Sequence, residues 1–137
     1  MGHIVRKLVP VYEDGRGKIF DVLDGESIAH VGFVTSRAGA IRGNHYHVQE
    51  TQYTLVVKGK VKWITKDVRD SQSPVTVVLE PGDLAIDAPH MAHAMIALED
   101  SELVFFTNMR RDKERYERDT FPHMLTPVSG AGDVKSS

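Results

Sequence analysis

The stretch RGNHYHVQETQYTLVVKG, Arg42–Gly59, decides how the rest of the chain is read. It joins a His-x-His pair to a run of strand-forming residues and closes on a glycine. Successive side chains of a β-strand point to opposite faces, so His45 and His47 share one face and Tyr46 takes the other. On the inside of a barrel, two such imidazoles can ligate a metal through neutral ring nitrogens or exchange protons near neutral pH. The adjoining VVKGKVKW, 56–63, reads as a hairpin, with Gly59 supplying the positive φ of a tight turn.

The same grammar extends in both directions. Strand-like runs fall at 4–8, 18–23, 28–35, 45–47, 52–58, 61–66, 75–80, 84–87, 93–98 and 102–107. Turn signals punctuate them: EDGRGK at 13–18, RAGA at 37–40, DSQSP at 70–74 and EPGD at 80–83. Short strands at this even spacing predict an all-β sandwich or barrel. Only RRDKERYERD, 110–119, has helical composition, and with little apolar periodicity it is expected as a short polar helix or a surface loop. No repeat or linker is visible, and 137 residues suffice for one domain with a real core. The expected domain is 1–123, with an N-terminal strand arm over 1–19 and a flexible tail over 124–137 ending in SGAGDVKSS.

Charge and composition remove several classes of function. Lys and Arg number 17 against 19 Asp and Glu, so no basic excess favours nucleic acid or an anionic membrane. With no cysteine there is neither a disulfide nor a thiolate metal ligand. No apolar run approaches the roughly 20 residues of a membrane span, and the first residues lack an apolar signal core, so the expected location is cytoplasmic.

The spacing around the histidines carries a family likeness. Five residues separate Gly39 from His45, four separate His47 from Gln52, and six separate Gln52 from Gly59. A second block runs from Gly82 through Pro89 to His93, eleven positions on. Together they resemble the paired motifs of the cupin superfamily over about residues 20–108. The resemblance implies a small double-stranded β-helix, a jelly-roll barrel with its site inside. It also implies a metal-ligand set of His45, His47 and His93, with Gln52 where the family usually has glutamate. Ala88, His90 and Ala97 depart from the usual proline, glycine and asparagine of the second block.

Gln52 leaves two chemistries open. An all-neutral set could hold one divalent ion (zinc, nickel, iron or manganese), which would keep its full charge in the pocket unless an anion joined it. A metal-free pocket accounts for the glutamine equally, because an amide can donate to a sugar oxygen and accept from an imidazole N–H, as a carboxylate cannot. No organic cofactor is expected.

A narrower resemblance points to function. IRGNHYH followed by TQYTLVVKGK is similar to dTDP-4-keto-6-deoxyhexose 3,4-ketoisomerases, which carry glutamine at the place of Gln52. It is also similar to the zinc-binding C-terminal cupin domain of capsular-polysaccharide UDP-sugar reductases. Asn108, RDTFPH at 118–123 and EDGRGKIFDV at 13–22 resemble further elements of these enzymes and of the related 3,5-epimerases. Neither subgroup's pattern fits throughout, and any reduction is expected to fall to another protein.

What such enzymes share is removal of a proton next to a ketone, giving an enediolate that is reprotonated elsewhere or from the other face. This needs a base, an acid and stabilisation of an oxyanion. The expected function is therefore an isomerase or epimerase of a nucleotide-linked 4-keto sugar in surface-polysaccharide synthesis. Its alternatives are a metal-dependent oxygenase or lyase, and a non-catalytic sugar-binding cupin. His45, His47 and Arg42 are the candidate catalytic residues. Arg42, Gln52, Tyr53 and Trp63 are the candidate substrate-binding residues, with core packing the competing role for Tyr53 and Trp63. Glu50 reads as a solvated loop charge, and Asp14 with Arg16 as a turn. Phe105 and Phe106 point to opposite faces of one strand, and a homodimer is expected.

Overall fold

The alternation expected of a half-buried strand is present along Ser101–Thr107, where Ser101, Leu103, Phe105 and Thr107 are buried and the residues between them partly exposed. The computed structural model describes residues 4–127. Its elements are β1 (Ile4–Lys7), β2 (Tyr12–Asp14), β3 (Gly17–Ile19), β4 (His30–Ser36), β5 (Ile41–Tyr46) and β6 (Gln52–Lys58). They continue as β7 (Val61–Asp67), β8 (Val75–Leu79), β9 (Asp83–Asp87), β10 (Met91–Ala97), β11 (Ser101–Thr107), α1 (Lys113–Arg118) and β12 (Phe121–Pro122). Among the described residues, no helix is long and apolar enough to cross a membrane.

Two five-stranded sheets carry the fold, in the orders β1-β9-β6-β11-β4 and β12-β5-β10-β7-β8, with every pair antiparallel. They bury a common core of Val56, Val61, Trp63, Leu79, Ala85, Met95 and Leu103. This is the expected all-β jelly roll. Gly59 turns the β6–β7 hairpin at φ 92°, and a side chain there would strike Asp100 and Ser101.

Three expectations need correction. The strand expected at 18–23 stops at Ile19, because β3 pairs only with β2 in a separate hairpin. Its turn is held by Asp14, which accepts from the Arg16 backbone N–H at 2.9 Å and its guanidinium at 2.7 Å. The strand expected at 45–47 instead begins at Ile41, and His47 lies just beyond its end. The tail expected from 124 is held further along: Asn44 Oδ1 accepts from the Leu125 and Thr126 N–H groups, and its Nδ2 donates to Thr126 O. The rest of that tail, 128–137, lies outside the described residues.

The β5–β10 pair contains the irregularity that matters most. His93 lies opposite His45, but the next residue, Ala94, lies opposite Gly43, so Asn44 is an extra residue in β5. Gly43 and Asn44 both take positive φ, 90° and 59°, as such a bulge requires. A Cβ on Gly43 would lie 2.6 Å from the His93 carbonyl oxygen. Gly43→Ala is expected to lower the unfolding free energy by about 1–3 kcal/mol in urea denaturation. Gly15→Ala, with open space around it, should stay within about 0.5 kcal/mol of the parent.

Candidate functional site

The register of β5 on β10 brings the three expected histidines together. Ring centroids lie 4.8 Å apart for His45–His93, 5.0 Å for His45–His47 and 6.1 Å for His47–His93. All three are buried. Burial, then the charges of His93, His47 and Arg111, pull the His45 pKa down to about 2. Burial and the charge of His47 pull His93 down to about 3. Both rings are therefore neutral at physiological pH.

His47 differs because it has acceptors. Its Nδ1 lies 2.8 Å from the Asp119 carbonyl, which can only accept, so Nδ1 carries a proton. Its Nε2 lies 3.6 Å from Glu50 Oε2, while Glu50 Oε1 accepts from Arg115 at 2.7 Å. Arg115, Glu50 and His47 thus form a chain of polar contacts from α1 to the histidine cluster. Glu50 is 2% exposed, so the sequence reading of a solvated loop charge is corrected. The β5–β6 loop that carries it is clamped from outside. The Asp119 carboxylate accepts from the N–H groups of Val48, Gln49 and Glu50 at 2.9–3.1 Å. Asp119 caps the C-terminus of α1, so the short helix and the His47 loop are held as one unit.

A second buried carboxyl stands behind His93. Asp87 Oδ2 lies 3.9 Å from His93 Nδ1, and neither Asp87 oxygen has a hydrogen-bond partner. Burial raises its pKa from 3.8 to about 8, which favours the uncharged acid.

His45 opens onto a cleft of about 640 Å³, whose walls include Asn44, Arg111, Lys113, Tyr116, Thr120 and Pro122. The α1 segment, read from sequence only as a polar helix or loop, supplies one whole wall. The Tyr116 ring lies 5.4 Å from that of His47, and its buried hydroxyl has no partner. Burial is the main cause raising its pKa. The single aromatic within a polar run was the signal available in the sequence.

Other expected site residues lie elsewhere. Gln52 is buried beside Thr54, to which its Nε2 donates at 3.1 Å, and both line a small void with Trp63 and Phe105 rather than the cleft. Trp63 is 3% exposed and stacks on His93 at 5.7 Å and 8°, so it forms the wall behind the histidines and offers no open stacking surface. Tyr53 follows Gln52 on β6 and faces outward, its hydroxyl donating to Glu26 at 2.9 Å. Arg42 reaches from β5 to β4, donating to Ser36 Oγ at 2.8 Å and Thr35 O at 3.0 Å, and so ties the two sheets together.

His45, His47 and His93 each present an unpartnered Nε2, and Gln52 an unpartnered Oε1, which suit a divalent ion chemically. Among the described residues, however, no group of three His, Cys, Asp or Glu side chains is placed to hold one.

Asp87 generates a signed test. An unfolded aspartate loses its proton near 3.8, whereas the buried one keeps it to about 8. Between those values the folded state binds the extra proton, so this group's contribution to stability falls as pH rises. Asp87→Asn should therefore gain in thermal midpoint relative to the parent from pH 4 to pH 8. A gap that stays constant in calorimetry over that range would contradict the assignment.

With the geometry in hand, comparison with known proteins is informative. A family model described as the polysaccharide biosynthesis C-terminal domain matches residues 12–121. UDP-2-acetamido-2,6-beta-L-arabino-hexul-4-ose reductase of Pseudomonas aeruginosa is 32% identical over 60 residues, 44% of this chain but 16% of that protein. The matched stretch is thus a small part of that relative's length. Among solved structures, the Mycobacterium tuberculosis rmlC epimerase superposes with a TM-score of 0.75 at 19% identity, covering 88% of this chain and 68% of the other. ChmJ, a 3'-monoepimerase from Streptomyces bikiniensis solved with dTDP-quinovose, gives 0.71 at 22% identity, covering 83% and 67%. CapF gives 0.64 at 20% identity, covering 86% and 35%. The structural likenesses establish the cupin fold. Because the family match runs from the β2–β3 hairpin to β12 and takes in every residue of the histidine cluster, the chain belongs to the polysaccharide biosynthesis C-terminal domain family.

Proposed function

We propose that the protein is an isomerase or epimerase of a nucleotide-linked 4-keto sugar, working by proton abstraction beside the ketone. The observation that carries this reading is the presence, in the lining of one cleft, of a neutral histidine, His45, and an unpartnered tyrosine hydroxyl, Tyr116. A base and an acid in one cleft are what abstraction and return of a proton require. The family match and the fold shared with nucleotide-sugar epimerases support the substrate class.

In this reading His45 takes the proton from the carbon next to the ketone. Its low pKa keeps the lone pair free, and the negative charges of a nucleotide diphosphate entering the cleft raise its basicity on binding. Tyr116 returns a proton to the enediolate. His47 is held in place by the Asp119 carbonyl, and Arg42 fixes the sheets rather than the substrate. A divalent ion on His45, His47, His93 and Gln52 would supply Lewis-acid polarisation of the ketone. Metal analysis of protein purified without chelator or metal-affinity resin tests that version.

The chemistry is read by incubation with dTDP- and UDP-4-keto-hexoses in D2O. Deuterium should enter the carbon next to the ketone, and His45→Asn should slow entry by about a hundredfold or more. Tyr116→Phe should reduce product formation more than deuterium entry, because abstraction precedes the tyrosine's step. No exchange with either nucleotide would leave a binding protein and sink the enzymatic reading.

A homodimer is part of the proposal. Val31, Phe33 and Val57 are 57%, 61% and 46% exposed, and with Leu55, Val104 and Phe106 they lie on the outer face of the β4–β11–β6 layer. An apolar face of this kind favours association with a second copy. Light scattering should return twice the chain mass of 15.3 kDa, and a value near 15.3 kDa contradicts the dimer.

A further inference from the structure

The polar segment after β11 contains five cations, Arg110, Arg111, Lys113, Arg115 and Arg118, and their environments differ. Lys113 faces Glu117 at 3.9 Å, Arg115 faces Glu50 at 2.7 Å and Asp119 at 3.5 Å, and Arg118 faces Glu114 at 3.9 Å. Arg111 is different. Its guanidinium carbon lies 4.0 Å from the Tyr116 ring centroid and 5.9 Å from that of Phe105, and among the described residues it makes no ion pair or hydrogen bond. Stacking uses the face of the guanidinium and leaves its edge N–H donors available. It is thus a held cation without an anion, on the wall of the cleft into which His45 opens.

We propose that Arg111, braced by Tyr116 and assisted by Lys113, is the subsite for the diphosphate of the nucleotide-linked substrate. This rests on the functional reading above and gives to Arg111 the part of substrate-binding arginine that the sequence offered to Arg42. The chemistry is specific. A phosphate diester offers two acceptor oxygens in the spacing of a guanidinium edge, and bidentate pairing is stronger and more directional than contact with an ammonium. Lys113, already facing Glu117, contributes less. The same stack links recognition to the reaction, since the ring that carries the proposed acid is the one that positions the cation.

Calorimetric titration with dTDP, UDP, inorganic pyrophosphate, thymidine and uridine tests the subsite without relying on turnover. The parent should bind the three diphosphates, and Arg111→Gln should weaken each by about tenfold or more, with a shallower salt dependence. Lys113→Gln should cost about threefold or less. Arg16→Gln, on the distant hairpin and paired with Asp14, should change nothing. Arg111 is exposed, so the thermal midpoint of Arg111→Gln should match the parent and exclude unfolding as the cause. Binding of dTDP and UDP within twofold of the parent, an equal loss for the uncharged nucleosides, or no diphosphate binding to the parent would each overturn the proposal. Arg111-dependent diphosphate binding without deuterium exchange would uphold the subsite while removing the isomerase reading.

Discussion

The site depends on the extra residue in β5. Antiparallel pairing with β10 sets His45 directly opposite His93, and the bulge at Gly43–Asn44 changes which side chains share that face. Without it, Arg42, three residues before His45, would point away from the interior. With it, Arg42 lies opposite Met95, a core residue, and its guanidinium crosses to β4. One inserted residue thus places a histidine in the cleft and a sheet-to-sheet tie behind it. It also frees the Asn44 side chain to hold the chain at Leu125 and Thr126.

Around this bulge the protein buries an unusual number of ionisable groups, and it manages them unequally. His45 and His93 are denied charge by burial and by their neighbours. His47 is given a carbonyl on one nitrogen and a carboxylate near the other. Asp87 is pushed towards its acid form by burial, opposed by the neighbouring Trp63 and by no cation. Groups whose proton affinities are driven apart within one cluster are suited to passing protons. Such groups also carry a stability cost that a well-packed apolar core would not.

The helix α1 has no buried residue of its own and six residues in all, too few to be stable alone. It is held by its ends and by ionic contacts. Asp112 caps its start, Asp119 binds the β5–β6 loop from its finish, and Arg115 reaches Glu50. The consequence is that a polar segment, and not the barrel, supplies the cleft's tyrosine and its held arginine. Charge pairing stands in for the apolar face that anchors most helices to a sheet.

The resemblance to cupins implied the jelly roll and the place of His93, while the amino-acid sequence by itself determined the strand periods, the turn at Gly59, the shared face of His45 and His47, and hence an all-β fold. These follow from side-chain alternation and glycine sterics, which act over a few residues. It left open where Tyr53, Trp63, Gln52 and Arg42 point, and core packing, its competing role for Tyr53 and Trp63, is where both are found. Alternation within a strand does not say which face is inside, and a single bulge reverses it. It also missed Glu50, Asp87, Tyr116 and Arg111. A charged or aromatic residue in a polar run looks the same whether solvent or a buried partner meets it. Only the tertiary structure decided that Glu50 meets Arg115 across 65 residues and that Arg111 lies on Tyr116, because those pairings are set by how α1 folds back over the barrel mouth.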